Sequence, residues 1–252
     1  MSSPLTRIAL RREAVDDWRR YPFNVPAIAT LQHLDVRSRV LFFVGENGSG
    51  KSTLLEAIAE YMGFGLGGGS PHMAARLAGN SPVTALAGAL QLTWRTRLQP
   101  AYFLRAESFT GVADYLDEIQ RDDPRALDPY GGKSLHAQSH GESFFSLFMH
   151  RIASGGLYLM DEPEAALSPA RQAGLAVRIS DLLGANPASQ FIIATHSPIL
   201  LAFPAAQLVS FDGAALQPIA FRETEAFLVG SRFFADPERY IERLLSDSAG
   251  ED

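Results

Sequence analysis

The sequence predicts an α/β fold in which helices flank a mixed sheet. A glycine-rich stretch, Gly45–Ser52, stands between a short apolar run at 40–44 and a segment at 53–62 with apolar residues at helical spacing. Two more apolar runs, 157–160 and 191–194, have the length of buried strands, and polar residues follow each of them. Strands that alternate with helices in this way build a mainly parallel sheet covered on both faces.

Composition is typical of a globular protein. The 252 residues are 46% apolar and 20% charged, and none is cysteine, which rules out disulfides and thiolate zinc sites. No apolar run of about 18 residues is present, so no transmembrane helix is expected. Charged residues at 11–13 interrupt any signal-peptide core near the start. We therefore expect a cytoplasmic protein.

The formal net charge of −6 argues against a broad nucleic-acid-binding surface. A local basic cluster occurs near the start of the chain, and three acidic residues accompany it. This cluster is either a solvated face or a small anion-binding patch, and it consists of Arg7, Arg11, Arg12, Arg19 and Arg20.

The glycine-rich stretch fits the phosphate-binding pattern G-x-x-x-x-G-K-[ST] at every required position. Its glycines allow the backbone to curve round a phosphate, with N–H groups turned inward at the positive end of the next helix. Lys51 would reach the β- and γ-phosphates, and the Ser52 hydroxyl would bind Mg²⁺. The predicted nucleoside triphosphate site comprises Gly45, Glu46, Asn47, Gly48, Ser49, Gly50, Lys51, Ser52 and Thr53.

Polar groups follow the two other apolar runs. Asp161 and Glu162 come directly after 157–160. In a phosphate-loop ATPase, the first such acid holds Mg²⁺, and the second orients the attacking water and accepts its proton. His196 follows 191–194, and it is either structural or delivered to the ligand edge of the sheet.

Two helix starts are visible in the second half of the chain. Ser139 with Glu142 three residues later forms a capping-box pattern, whose free backbone N–H groups either serve as a plain cap or bind an anion. Ser168 followed by Pro169 predicts the start of another helix.

The remaining segments predict a single domain over residues 1–252. Residues 1–36 are expected to hold two edge strands, and further strands are expected near 90–95 and 101–104. A helical lobe is predicted at about 109–150, and a C-terminal helical tail at about 223–252. The pair Asp212-Gly213 between short apolar runs predicts a hairpin.

The motifs in this order resemble the ATP-binding cassette (ABC) class of P-loop ATPases, over about residues 21–212. Ser139 precedes Asp161 by 22 residues, and Asp161 precedes His196 by 35, separations similar to those of the class. Within the class, the chain resembles small stand-alone AAA-family or SMC-like heads without a coiled coil. The stretch 138–142 departs from the usual L-S-G-G-Q/E signature at Gln138 and His140.

The resemblance implies a role for each matching residue. Lys51 and the loop amides would hold the phosphates of ATP, and Ser52 with Asp161 would hold Mg²⁺. Glu162 would be the base toward water, and His196 would contact the γ-phosphate.

The resemblance also implies a second subunit. Ser139 and Gly141 would act in trans on the nucleotide of a partner copy, with the turn at 166–168 at the interface of a head-to-tail homodimer. The class has a Gln at the start of its lobe, near the metal. Glu107 is our candidate for that place, as a metal ligand or a surface acid, and Gln99 is a weaker one.

The implied function is ATP hydrolysis to ADP and phosphate, coupled to opening and closing of the dimer. The alternatives are the ATP-binding subunit of a membrane transporter, which the missing lobe Gln disfavours, and a nucleotide-sensing interaction module, which Glu162 disfavours. Arg19, Arg20 or Tyr21 either contacts adenine or packs in the protein. The sequence does not identify the protein or nucleic-acid partner.

Overall fold

The computed structural model describes residues 3–65, 67–69, 82–107, 109–122, 125, 127–128, 149 and 155–248. The predicted signature, with Ser139 and Gly141, lies outside the described residues.

The described residues form both strands and helices. The strands are β1 (Leu5–Leu10), β2 (His33–Asp35), β3 (Val40–Val44), β4 (Leu90–Trp94), β5 (Pro100–Arg105), β6 (Gly156–Asp161), β7 (Ser189–Ala194), β8 (Gln207–Ser210) and β9 (Gln217–Pro218). The α-helices are α1 (Pro26–Ala29), α2 (Lys51–Tyr61), α3 (Thr84–Ala89), α4 (Phe109–Asp122), α5 (Pro169–Ala185), α6 (Pro198–Leu201), α7 (Glu225–Ala235) and α8 (Pro237–Ser248).

A six-stranded mixed sheet forms the centre, in the order β5-β6-β7-β3-β8-β9. Its first five strands are parallel to their neighbours, and β9 pairs with β8 in the antiparallel sense. Every residue of β3, β6 and β7 is buried, which explains why their sequences are almost continuously apolar. The predicted α/β fold with a mixed sheet is confirmed.

A second sheet has three antiparallel strands in the order β2-β1-β4. It confirms two strands within residues 1–36 and the strand predicted near 90–95, but β1 is the middle strand, so only β2 of the first two is an edge strand. β4 alternates between buried and more exposed side chains, because one face of this sheet is covered, and a register shift between Leu5 and Arg7 interrupts the same alternation in β1.

Two apolar cores lie on opposite faces of the central sheet. On one face, Phe43 and Ile192 belong to the same cluster as Leu54 and Ile58 of α2 and Ile8 of β1, so α2 packs between the two sheets. The other cluster joins further strand residues of the central sheet to α4 and α5. Amphipathic packing therefore fixes the position of the helix that follows the glycine-rich loop.

The last described residues form two helices. α7 packs near α6, and α8 folds back on α7 to form a C-terminal hairpin (residues 225–248) with many exposed side chains. Among the described residues, we find no helix whose length and apolar character would let it cross a membrane.

Two glutamine side chains join the two sheets. Gln190 on β7 is fully buried; its Oε1 accepts from the Leu5 amide at 2.8 Å, and its Nε2 donates to Ser3 Oγ at 2.6 Å. Gln207 on β8 makes a similar bridge to β2, because its Nε2 donates to the Asp35 carbonyl at 2.8 Å, but it is only half-buried.

We predict that Gln190→Leu destabilises the fold by about 1–3 kcal/mol, because the Leu5 amide and the Ser3 hydroxyl lose their buried partner. Gln207→Leu, the matched control, is expected to cost less, since water reaches that site. Urea unfolding of both variants measures the difference, and an equal or smaller loss for Gln190→Leu would contradict this account of the sheet–sheet contact.

Candidate functional site

The predicted site residues collect at one edge of the central sheet. β6, β7 and β3 are adjacent and parallel, so their carboxyl ends meet at the same edge. The glycine-rich loop follows β3, Asp161 and Glu162 lie at the end of β6, and His196 follows β7. This edge is where open parallel sheets bind ligands.

The loop has the backbone that a phosphate cradle needs. Gly50, at the N-cap of α2, has φ of 104°, and a Cβ there would lie 2.7 Å from Val25 Cγ1. Glycine is therefore required here both by conformation and by space. α2 begins at Lys51, two residues earlier than the sequence predicted, so the N–H groups of its first turn face the loop.

Lys51 is buried, although its side chain is cationic. Its Nζ donates to the Gly45 carbonyl at 2.6 Å and the Glu46 carbonyl at 2.9 Å. Burial lowers the pKa of Lys51, and the nearby Glu162 and Asp212 carboxylates act in the opposite direction. An ammonium held in this way has donors that a phosphate group can take over from the carbonyls.

Ser52 and Asp161 form the second part of the site. Ser52 Oγ donates to Asp161 Oδ1 at 2.8 Å, and Asp161 is itself buried. Burial raises the pKa of Asp161 to about 6, against the lowering effects of the Ser52 hydrogen bond and the Arg105 charge. The Ser52 hydroxyl and the Asp161 carboxylate are oxygen ligands of the kind that Mg²⁺ favours. A bound cation would also offset the cost of burying the Asp161 charge.

Glu162 and His196 face each other across the third part of the site. His196 Nε2 lies 3.5 Å from Glu162 Oε1, and each side chain is 40% exposed. Glu162 has φ of 47°, in the left-handed region, and its amide donates to the Ala194 carbonyl at 2.9 Å. A non-glycine residue in that region is strained, and such strain is found preferentially at functional sites.

Glu164 is a site residue that the sequence analysis did not single out. Its Oε1 accepts from the amide of His196 at 2.5 Å and from that of Ser197 at 3.2 Å, across 32 and 33 residues of sequence. Ser197 Oγ donates to Gln172 Oε1 at 2.6 Å, and Gln172 Nε2 donates to the Leu167 carbonyl at 2.8 Å. We call Glu164, Gln172 and Ser197 the histidine-turn network, because they fix the turn that carries His196.

Asp212 and Arg105 were also missed as site residues. Asp212 Oδ1 accepts from the Glu46 amide at 2.7 Å, so the predicted hairpin turn after β8 also holds the loop. Arg105, at the end of β5, lies 2.8 Å from Glu56 and 3.8 Å from Asp161. The sequence signal for Arg105 is its place at the end of an apolar strand, and Asp212 is predicted only as part of a hairpin turn.

Glu107, the candidate metal ligand at the lobe junction, is in contact with Arg105. The two side chains are 3.6 Å apart, and that of Glu107 is 86% exposed. Its role as a metal ligand stays a prediction.

The aromatic segment before α1 divides into packing residues and one residue beside the loop. Trp18 packs edge-on against Phe23 with 6.0 Å between ring centroids, and the Arg12 guanidinium covers the Trp18 ring at 4.0 Å. Tyr21 is half exposed, and its hydroxyl lies 3.1 Å from Thr53 Oγ1 in the first turn of α2. Tyr21 therefore contacts the helix that follows the loop, and contact of this segment with adenine stays a prediction.

One family model matches the chain. It is described as "AAA domain, putative AbiEii toxin, Type IV TA system", and it matches residues 143–202. The match includes Asp161, Glu162, Glu164 and His196 but covers less than half of the chain. It agrees with the predicted resemblance to P-loop ATPases over that segment. A search of curated proteins found no match.

Solved structures of ATPase cassettes and heads are also similar. MJ1267, an ATP-binding cassette of an ABC transporter, has 16% identity and a TM-score of 0.47, and the alignment covers 94% of this chain and 97% of the MJ1267 chain. The SMC head bound to the C-winged helix domain of ScpA has 14% identity and a TM-score of 0.43, and the alignment covers 75% of this chain and 93% of the SMC head chain. A nucleotide-free ATP-binding cassette from an ABC transporter has 16% identity and a TM-score of 0.46, and the alignment covers 82% of this chain and 88% of the cassette chain. At this level the likenesses add no evidence about function.

We predict that Asp161→Asn makes the free energy of unfolding less sensitive to rising pH when Mg²⁺ and nucleotide are absent. The folded-state pKa of about 6 lies above the ordinary value of 3.8, so ionising Asp161 costs folding free energy as the pH rises through about 6. Between pH 5 and pH 8, the free energy of unfolding of the wild type should fall by about 1 kcal/mol relative to that of the variant.

Urea unfolding at the two pH values measures this difference. Asp181→Asn, at an exposed carboxylate on α5, is the matched control. A difference between wild type and Asp161→Asn that is the same at both pH values would contradict the desolvation of Asp161.

Proposed function

We propose that the chain binds ATP with Mg²⁺ at this sheet edge and hydrolyses it to ADP and phosphate. The observation that carries the proposal is the meeting of three pairs of groups at one edge. Lys51 folds over the glycine-rich loop, Ser52 bonds Asp161 at 2.8 Å, and Glu162 lies 3.5 Å from His196. A phosphoryl-transfer site needs a phosphate cradle, metal ligands, a base and a γ-phosphate donor, and these pairs offer all four.

Each group has one task in the proposed reaction. The loop amides and Lys51 hold the phosphates of ATP, and Ser52 and Asp161 are the residues that would hold Mg²⁺. The bound Mg²⁺ supplies charge neutralisation on the phosphates. Glu162 orients a water molecule and accepts its proton, while His196 donates a hydrogen bond to the γ-phosphate.

The proposed reaction is completed by a second copy of the chain. Glu46, Asn47, His196 and Glu225 line an open cleft of about 410 Å³ beside the loop, so two of these four residues are acidic. The charge that develops on the transferring phosphoryl group needs more donors than Lys51 and His196 supply. By resemblance, Ser139 and Gly141 of the second copy would bring a helix N-terminus into this cleft, as part of an ATP-dependent head-to-tail homodimer.

The first test of hydrolysis is Glu162→Gln. The substitution keeps the shape of the side chain but removes the base, so phosphate release from ATP should fall at least about 100-fold while ATP still binds. Asp181→Asn is the control for loss of one carboxylate. Phosphate release that persists in Glu162→Gln, or that is absent from the wild type, would contradict the proposal, and the second result would favour a nucleotide-sensing module.

The same variant tests the dimer. With hydrolysis blocked, Glu162→Gln in saturating ATP and Mg²⁺ should elute from a sizing column as a dimer, and as a monomer with ADP. A monomer under both conditions would contradict completion of the site by a second copy while leaving nucleotide binding intact.

Glu164 is proposed as a positioning residue for His196. Glu164→Ala removes the acceptor of two backbone amides, so we expect kcat to fall about 10- to 100-fold, with the dissociation constant for ATP changed less than about threefold. Glu164→Gln keeps an acceptor oxygen and should recover part of kcat. A parallel loss of ATP affinity and thermal stability, without recovery in Glu164→Gln, would indicate a purely structural role.

A further inference from the structure

The C-terminal hairpin contains a groove lined by three arginines. Arg232 contributes from α7, and Arg239 and Arg243 contribute from α8. The volume of the groove is about 510 Å³, and the other described residues that line it are Ala235, Asp236, Tyr240 and Leu244. We call this site the arginine groove. It lies outside the sheet edge that carries the P-loop, and the proposed hydrolysis does not use it.

The arginines of the groove are available to a ligand. Arg232, Arg239 and Arg243 are all exposed, and among the described residues no acidic side chain lies within ion-pairing distance of them. Asp236 is the acid in the lining, and its Oδ1 already accepts from the Arg239 amide at 3.1 Å. That carboxylate therefore serves the start of α8.

The two arginines of α8 lie on one side of the helix. Arg239 and Arg243 are four residues apart, so they share a face, separated by a rise of about 6 Å. Glu242, three residues after Arg239, borders the same face. The described lining of the groove holds three arginines and one carboxylate, Asp236, so its formal charge is positive although the chain as a whole has a net charge of −6.

We propose that the arginine groove binds the phosphate backbone of a single nucleic-acid strand. Guanidinium groups bind phosphates through paired, charge-assisted hydrogen bonds. A row of arginines on one helix face can contact successive phosphates of one strand.

Tyr240 favours a nucleic-acid strand over an acidic peptide. It lines the groove between Arg239 and Arg243 in sequence and is half-buried. Phe233 contacts its ring edge-on, at 6.0 Å between centroids and 88° between planes. A ring held in this way beside phosphate-binding groups can stack on a base, and Leu244 adds apolar contact, whereas the carboxylates of a peptide gain nothing from the ring.

The test measures binding of a fluorescein-labelled oligothymidylate of about 16 nucleotides by fluorescence anisotropy, with the full chain and without ATP. Three phosphate contacts predict that log K falls with log salt concentration with a slope of about −2 for a single strand. The double variant Arg239→Gln/Arg243→Gln should bind at least about tenfold more weakly, with a slope nearer −0.7.

Two controls separate the groove from general charge and from folding. Arg95→Gln/Arg97→Gln removes two exposed arginines outside the hairpin and should leave both the affinity and the slope unchanged. Tyr240→Leu should weaken binding without altering the slope, and Tyr240→Phe should bind as the wild type does. Circular dichroism of each variant confirms that the chain is folded.

Competition distinguishes the class of ligand. Unlabelled oligothymidylate should displace the probe, while polyglutamate of equal charge should not, and a duplex of similar length should compete less well because its bases are not free to stack. No binding at low salt, equal displacement by polyglutamate, or equal loss of affinity in the control double variant would each overturn the proposal.

Discussion

The hydrogen bond from Ser52 to Asp161 is the contact on which the site depends. It joins residues 109 positions apart in sequence, one in the first turn of α2 and one at the end of β6. Both ends are positioned by the core, because α2 packs between the two sheets and β6 is buried along its whole length. The hydrogen bond also partly offsets the cost of burying the Asp161 carboxylate. A cation bound at this edge would neutralise that carboxylate.

A second layer of contacts holds the reactive groups in place. Glu164 ties the turn that follows β6 to the turn that follows β7, and Asp212 ties the turn that follows β8 to the loop that follows β3. All four of these turns lie at the carboxyl ends of the parallel strands of one sheet. The strained backbone of Glu162 lies between these contacts, and its amide N–H donates a hydrogen bond to the Ala194 carbonyl.

The parts of this site that could be predicted are those with a local cause. The loop, Asp161, Glu162 and His196 each follow a short apolar run, and strand ends in a parallel sheet must share an edge. Glu164 could not be identified in this way, because its partners are backbone amides more than 30 residues away. Arg105 and Asp212 likewise gain their contacts through strand order, which the pattern of a single sequence does not specify. The start of α2 was placed late because a glycine N-cap gives no side-chain signal.

We propose that the loop and Lys51 form a site for one nucleoside triphosphate per chain. Calorimetric titration of the wild type and of Lys51→Ala with ATP, in the presence and absence of Mg²⁺, measures this binding. We expect one ATP per wild-type chain, bound more tightly with Mg²⁺, and a loss of at least about tenfold in affinity for Lys51→Ala. Equal binding by the two chains, or no binding by the wild type, would contradict it.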